Sequence, residues 1–275
     1  MSPRLARGSG FPSSPESENL STTGQRTLMG WSGPDKRATD ILSRVAGGAL
    51  DLVLPISCAV CDTEGHYLCP DCEPKLPKLE RPYCTRCADR GQEPLCDACT
   101  ARPPAIDGIR APYLFEGIVR EMAYDLKYRN IRAAAPDLAQ LLADFLNTNR
   151  VPGDMLVPVP LHRIAERRRG YNQSKLLARE MAKLTGLQLA GHGLRRTRNT
   201  EPQVSMDSLD QWRTNMDGAF ECVDGLAGRP ILLIDDVVTT GSTMSACAEA
   251  LKASGAASVW GLALARQSSG QPPTR

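Results

Sequence analysis

An α/β chain built on a parallel sheet, preceded by a small cysteine-rich module, is the fold class the sequence predicts. Three observations carry it. Four Cys-x-x-Cys pairs crowd into residues 58–99, and strand-like and helix-like signals alternate after Pro103 and Pro104. Further on, Ile231 to Ile234 make an unbroken apolar run, able to bury on both faces of a sheet, that leads into a small-residue turn and a helical pattern.

The 275 residues are 41% hydrophobic, enough for a sizeable core, and their net charge of +2 selects neither nucleic acid nor membrane as a partner. No apolar run approaches the roughly 20 residues of a membrane span, the nearest, LDLVLPI, being broken by Asp51. No basic segment near the start pairs with an apolar one, so no signal peptide is expected, and the expected location is cytoplasmic. Residues 1–35 are rich in Ser, Gly and Pro without a period and are expected to be a disordered tail, with translation expected to begin at Met29. In residues 36–54, Ile41, Leu42, Val45, Ala49 and Leu52 keep helical spacing, which predicts a lead-in helix.

Residues 55–103 hold the pairs Cys58/Cys61, Cys69/Cys72, Cys84/Cys87 and Cys96/Cys99. Two residues between cysteines let both thiolates of one tight turn face one ion, and two such turns complete a tetrahedral site, so the count fits two structural zinc ions. The short gaps favour sequential sites, Cys58, Cys61, Cys69 and Cys72 for one ion and Cys84, Cys87, Cys96 and Cys99 for the other. A cross-braced pairing of first with third is the alternative. A disulfide framework or a redox pair fits a chain without export signal less well. His66 lies between the first two pairs and reads as a loop residue.

Residues 104–268 form the main domain. Ala111 to Phe115 reads as a strand, followed by a helix burying Ile118, Val119, Met122 and Leu126. Pro136 opens a second helix with Leu138, Leu141, Leu142 and Phe145 inward. Met155 to Val159 is a short strand whose prolines mark an edge or an end, running into a loop with Arg163, Arg167, Arg168 and Arg169. That loop suits polyphosphate, although such runs are often a solvated face. A helix follows from about Ser174 to Thr185, stopped at Gly186, with Leu176, Leu177, Met181 and Leu184 inward. Arg195, Arg196 and Arg198 then precede a polar stretch, 199–215, long enough to act as a mobile cover or to be a plain surface excursion. Residues 269–275 are expected to be a disordered tail.

The run from Ile231 to Met244 is the most informative. Asp235 and Asp236 mark the end of its strand, Thr239, Thr240, Gly241, Ser242 and Thr243 make a small hydroxyl-rich turn, and Met244, Cys247, Ala248 and Leu251 recur at helical spacing. Amides at a helix N-terminus beside hydroxyls favour a phosphate, while carboxylates repel one; the two fit together if Asp235 and Asp236 accept hydrogen bonds from sugar hydroxyls. A ribose phosphate is the expected ligand.

This segment resembles the phosphoribosyl-pyrophosphate signature of type I phosphoribosyltransferases. Together with VPVPLH, RRRGYNQ, RNTEPQ and RTNMDGAF behind paired zinc knuckles, it is similar to the competence protein ComF family, over about Leu54 to Arg266. The resemblance implies a type I phosphoribosyltransferase-like parallel-sheet domain. It implies binding of phosphoribosyl pyrophosphate with Mg²⁺ and transfer of the phosphoribosyl group to an acceptor the sequence does not name. Asp235 and Asp236 would hold the ribose, Val237 and Thr239 to Thr243 would line the phosphate pocket, and Arg163 and Arg169 would stabilise departing pyrophosphate. His162 stands where a general base could, or is structural. Tyr171 stands where family members more often have Phe. The second reading, from the same resemblance, is a nucleotide- or single-stranded-DNA-binding protein that supports DNA uptake. Nothing in the sequence sets the oligomeric state.

Overall fold

The computed structural model describes residues 56–197, 218–223 and 226–268. The tails expected at 1–35 and 269–275, the lead-in helix at 36–54, Arg198 and the cover at 199–215 lie outside the described residues.

After two cysteine knuckles and the short helix α1 (Asp97–Ala101), the chain runs β1 (Gly108–Arg110), β2 (Tyr113–Leu114), α2 (Gly117–Tyr128), α3 (Ala135–Thr148), β3 (Met155–Pro158), α4 (Arg163–Arg169) and α5 (Gln173–Thr185). It continues through β4 (Gln188–Leu189), β5 (Leu194–Arg196), β6 (Phe220–Cys222), β7 (Pro230–Val238), α6 (Ser242–Ala253) and β8 (Ser258–Arg266). The main sheet has six strands, ordered β1-β8-β7-β3-β4 with β2 also on β8, and every pairing in it is parallel. β5 and β6 form a separate antiparallel pair.

The period of two along β7 and β8 divides the core between the two faces. Leu232, Ile234, Leu262 and Leu264 pack with Met122, Leu126, Leu138, Leu142, Leu177 and Met181 from α2, α3 and α5. Ile231, Leu233, Val259 and Ala263 pack with Met244, Cys247 and Leu251 of α6 and Phe220 of β6. The knuckle segment joins both layers, Tyr67, Leu68 and Leu76 on the first and Leu79, Ala88 and Ile106 on the second.

Four expectations need correction. The strand placed at Ala111 to Phe115 is only the two-residue β2, and a separate short strand, β1, precedes it; both pair with β8. Of the two readings offered for the prolines of β3, the edge is wrong and the strand end holds: β3 is interior, flanked by β7 and β4, and Pro158 is its last residue. The loop expected at Arg163 to Arg169 is the helix α4. The His162 side chain accepts a bond from the Ile164 amide at its start, Gly170 ends it at φ 83° and donates to the Glu166 carbonyl, and three arginines in its last turn complement the negative end of the helix dipole. Leu184, expected inward, is 48% exposed, because the buried stripe of α5 runs through Ser174, Leu177, Ala178 and Met181.

Candidate functional site

β3 ends at Pro158, paired with Ile234, whereas β7 continues to Val238 alongside β8. Asp235 and Asp236 therefore sit within β7, not at its end, where the strand has lost its partner on one side. Such a step at the carboxyl ends of parallel strands is where open α/β sheets form crevices.

The start of α5 fills the vacated side. Asn172 caps it, accepting from the Ser174 and Lys175 amides at 2.9 and 3.3 Å while its own amide donates to the Val159 carbonyl at 3.0 Å. With the first turn tied to the end of β3, Ser174 Oγ donates to Asp235 Oδ1 at 2.8 Å and Gln173 Nε2 to Asp236 Oδ1 at 3.3 Å. Lys127, at the end of α2, places its Nζ 2.7 Å from Asp236 Oδ2. Arg169 donates to Gln173 Oε1 and lies 5.5 Å from the Tyr128 ring. A chain of contacts thus runs Arg169, Gln173, Asp236, Lys127.

Asp236 is 1% exposed, so its charge depends on these partners. Burial pushes the Asp235 carboxyl up to about 7 and the adjacent Asp236 charge adds to this, against the opposing pull of Lys127 and the Ser174 hydroxyl. Burial also works against the Lys127 ammonium, but Asp236 and Asp235 outweigh it and hold its pKa above the ordinary lysine value. Tyr171 locks the arrangement: its hydroxyl donates to the Leu126 carbonyl, next to Lys127, and Arg132 lies 4.6 Å over its ring.

Beyond Lys127 opens a cleft of about 310 Å³, lined by Lys127, Tyr128, Asn130, Ala165, Arg168, Arg169 and Tyr171. Ala165, Arg168 and Arg169 share one face of α4 at helical spacing. Arg163, exposed at the start of that helix, does not line the cleft.

On the other side of the acidic pair, the hydroxyl-rich turn runs into α6. Gly241 is its N-cap at φ 79°, and a Cβ there would come 3.0 Å from Ile109 Cδ1, so both backbone and space select glycine. Thr240 Oγ1 donates to Ser242 Oγ at 3.0 Å and accepts from the Ser242 amide at 3.3 Å, pinning the turn. Val237 and Val238 finish β7, and Thr239 to Thr243 bracket the N-terminus of α6. His162, whose Nδ1 accepts from Ile164, caps α4 and serves structure.

The two cysteine clusters are sequential. The sulfur atoms of Cys58, Cys61, Cys69 and Cys72 lie within 4.8 Å of one another, as do those of Cys84, Cys87, Cys96 and Cys99. Cys61 to Cys69 and Cys87 to Cys96 are each 3.6 Å, near the edge of about 3.8 Å that a tetrahedron with Zn–S bonds of about 2.3 Å has. All ten cysteines are free thiols, so the disulfide alternative is not realised. The donor sets fit structural zinc, four cysteines per ion with no position left open for chemistry.

Of the predicted residues, the structure brings Asp235, Asp236 and Arg169 into one network and Thr239 to Thr243 beside it. Lys127, Gln173 and Ser174 were missed, while Arg168, read among the arginines suited to polyphosphate, lines the cleft. The signal available was that buried carboxylates need cations and donors, but their identity depended on contacts 61 to 109 residues away in sequence.

Residues 49–100 match the double zinc ribbon domain family, and residues 165–275 match the phosphoribosyl transferase domain family. The chain is 30% identical over 220 residues to the DNA utilization protein YhgH of Escherichia coli (strain K12), a match spanning 76% of this chain and 96% of that protein. It is 28% identical over 210 residues to Competence protein F of Haemophilus influenzae, spanning 72% and 90% respectively. Competence protein ComFC of Bacillus subtilis is 28% identical over 253 residues, 82% of this chain and the whole of that one.

Proposed function

The chain belongs to the ComF/YhgH family, in which a double zinc ribbon precedes a phosphoribosyltransferase domain, and we propose that it binds phosphoribosyl pyrophosphate and transfers the phosphoribosyl group to an acceptor. In this reading, Asp235 and Asp236 accept hydrogen bonds from the ribose hydroxyls. Thr239 to Thr243 and the start of α6 hold the 5'-phosphate. Arg169, with Arg168 and Lys127 beside it, holds the pyrophosphate in the cleft. The observation that supports this most is the order along one crevice: a cationic cleft, an acidic pair and a hydroxyl turn.

Mg²⁺ bound with the pyrophosphate would neutralise part of its charge. Both Asp236 oxygens are engaged by Lys127 and Gln173, so that ion would be held chiefly by oxygens the ligand brings. The protein's own contribution is orientation and charge: two carboxylates fix the pentose, and the arginines stabilise the leaving group as the bond at C1 loosens. Replacing Asp235 and Asp236 together by alanine should abolish calorimetric binding of phosphoribosyl pyrophosphate while zinc content stays at two per chain; unchanged binding would remove the proposal.

A nucleic-acid reading is also supported by one observation. Tyr128 is 65% exposed, lies 5.2 Å from the Tyr124 ring at a 46° tilt and sits under Arg169, which provides the aromatic surface beside arginines that single-stranded DNA uses. The names of the relatives, DNA utilization and competence proteins, agree with it. Salt-dependent DNA binding that is lost in Tyr128→Ala yet survives loss of the aspartates would favour it.

A further inference from the structure

Arg266 ends β8 and is 3% exposed, and a guanidinium so buried needs partners for its fork of donors. Its partners come from two parts of the chain far apart in sequence. Nε donates to the Cys87 carbonyl at 2.9 Å, and Nη2 lies 3.5 Å from Asp89 Oδ1, both in the second knuckle. Nη1 donates to the carbonyls of Val238 and Thr239, where β7 passes into the hydroxyl turn, and to that of Gln267.

Other contacts tie the same two regions. The Ala105 amide, just after the second knuckle, donates to Ser245 Oγ on the first turn of α6 at 2.9 Å. Lys252, further along α6, donates to the Ala105 carbonyl at 2.8 Å and pairs with Asp107 at 2.6 Å. The Ile109 amide donates to the Arg86 carbonyl at 2.9 Å, and Ile109 itself crowds Gly241. The second knuckle is thereby bolted to both ends of the turn, with Arg266 the group that reaches the turn's first carbonyl.

We propose that Arg266 is a positioning residue through which the second four-cysteine knuckle sets the geometry of the Thr239 to Thr243 turn, so that loss of the knuckle loosens the turn and weakens its hold on a phosphate. The first knuckle serves the opposite flank: the Tyr67 hydroxyl donates to Asp125 at 2.7 Å and the Leu68 amide to Asp137 at 3.0 Å, on α2 and α3. Its loss bears on Lys127 and the cleft instead of the turn. The structural metal therefore has a local task at the site as well as a general one in folding. A lysine at position 266 keeps the charge beside Asp89 but offers a point donor, unable to span both groups of carbonyls.

The test is hydrogen exchange on the zinc-loaded full chain, comparing wild type with Arg266→Lys and with the pair Cys96→Ser and Cys99→Ser. Both variants should exchange the amides of 239–245 about tenfold faster, as expected when charge-assisted bonds worth about one decade are lost, while amides of α5 stay at the wild-type rate. Uniformly faster exchange, or no change at 239–245, overturns the proposal. Should Arg266→Lys not fold, Asp89→Asn, which keeps the guanidinium and removes its carboxylate, is expected to give the same local pattern at smaller size. The ligand arm rests on the function proposed above: in Arg266→Lys, ribose 5-phosphate should bind about tenfold more weakly and Mg-pyrophosphate unchanged. If the wild type binds no ribose 5-phosphate, that functional reading fails, and the exchange pattern alone still decides the role of Arg266.

Discussion

Replacing Lys127 with methionine removes the cation that faces the most deeply buried carboxylate of the site while keeping most of the side chain's volume. The Lys127 and Asp236 side chains are 22% and 2% exposed and 2.7 Å apart, so the pair lies in the regime where breaking it leaves an uncompensated buried charge. The expected cost is about 3 kcal/mol, the low end for such pairs because Gln173 remains as a donor to Asp236. That corresponds to a fall in Tm of about 6–12 °C for a domain of this size. Thermal melts of K127M, D236N and the double variant form a cycle, and the double variant should recover most of the loss, with a coupling energy of about 2 kcal/mol. Coupling below about 0.5 kcal/mol would mean that the pair behaves like an exposed salt bridge, and the reasoning about the buried network would be wrong.

Further outcomes follow from the same geometry. Asp235 has a carboxyl pushed up to about 7, mainly by burial, so it holds a proton in the folded state over a range where the unfolded chain, near the usual value of about 3.9, does not. Its contribution to stability is therefore full at low pH and lost as pH rises through about 7, whereas ribose 5-phosphate affinity, which needs the ionised form, should rise over that window. Melts and titrations on Asp235→Asn should show both pH dependences flattened. Tyr171→Phe should lower stability by about 1 kcal/mol, read by urea unfolding, since only the hydroxyl bond to the Leu126 carbonyl is lost. Changing Cys58, Cys61, Cys69 and Cys72 together to serine should leave one zinc per chain by metal analysis; a value near zero would mean that the ions bridge alternate pairs.

The parts of the fold and site legible in the sequence are those written in local spacing. Four Cys-x-x-Cys pairs announce their clusters because the ligands of each turn are two residues apart, and Ile231 to Ile234 announce a buried strand because nothing polar interrupts them. Helices α3 and α5 were legible from their periodicity, and Gly186 from its place after the last periodic residue. Helix α4 was obscured by its own charge, because three successive arginines carry no apolar period and the cap is a histidine. β8, an interior strand paired on both sides, went unread although its apolar run SVWGLALAR offered the same signal as β7. Neither Lys127 nor Arg266 stands out in the sequence by itself. Their roles come from the partners that parallel-sheet crossovers bring alongside, and chain-distant pairing leaves no mark in a local window.

A crystal of the zinc-loaded protein soaked with ribose 5-phosphate measures the core of this account most directly. The account predicts the sugar's hydroxyls on Asp235 and Asp236 and its phosphate against the turn from Thr239 to Thr243. A sugar phosphate seated elsewhere, or an empty crevice at saturating concentration, would contradict it.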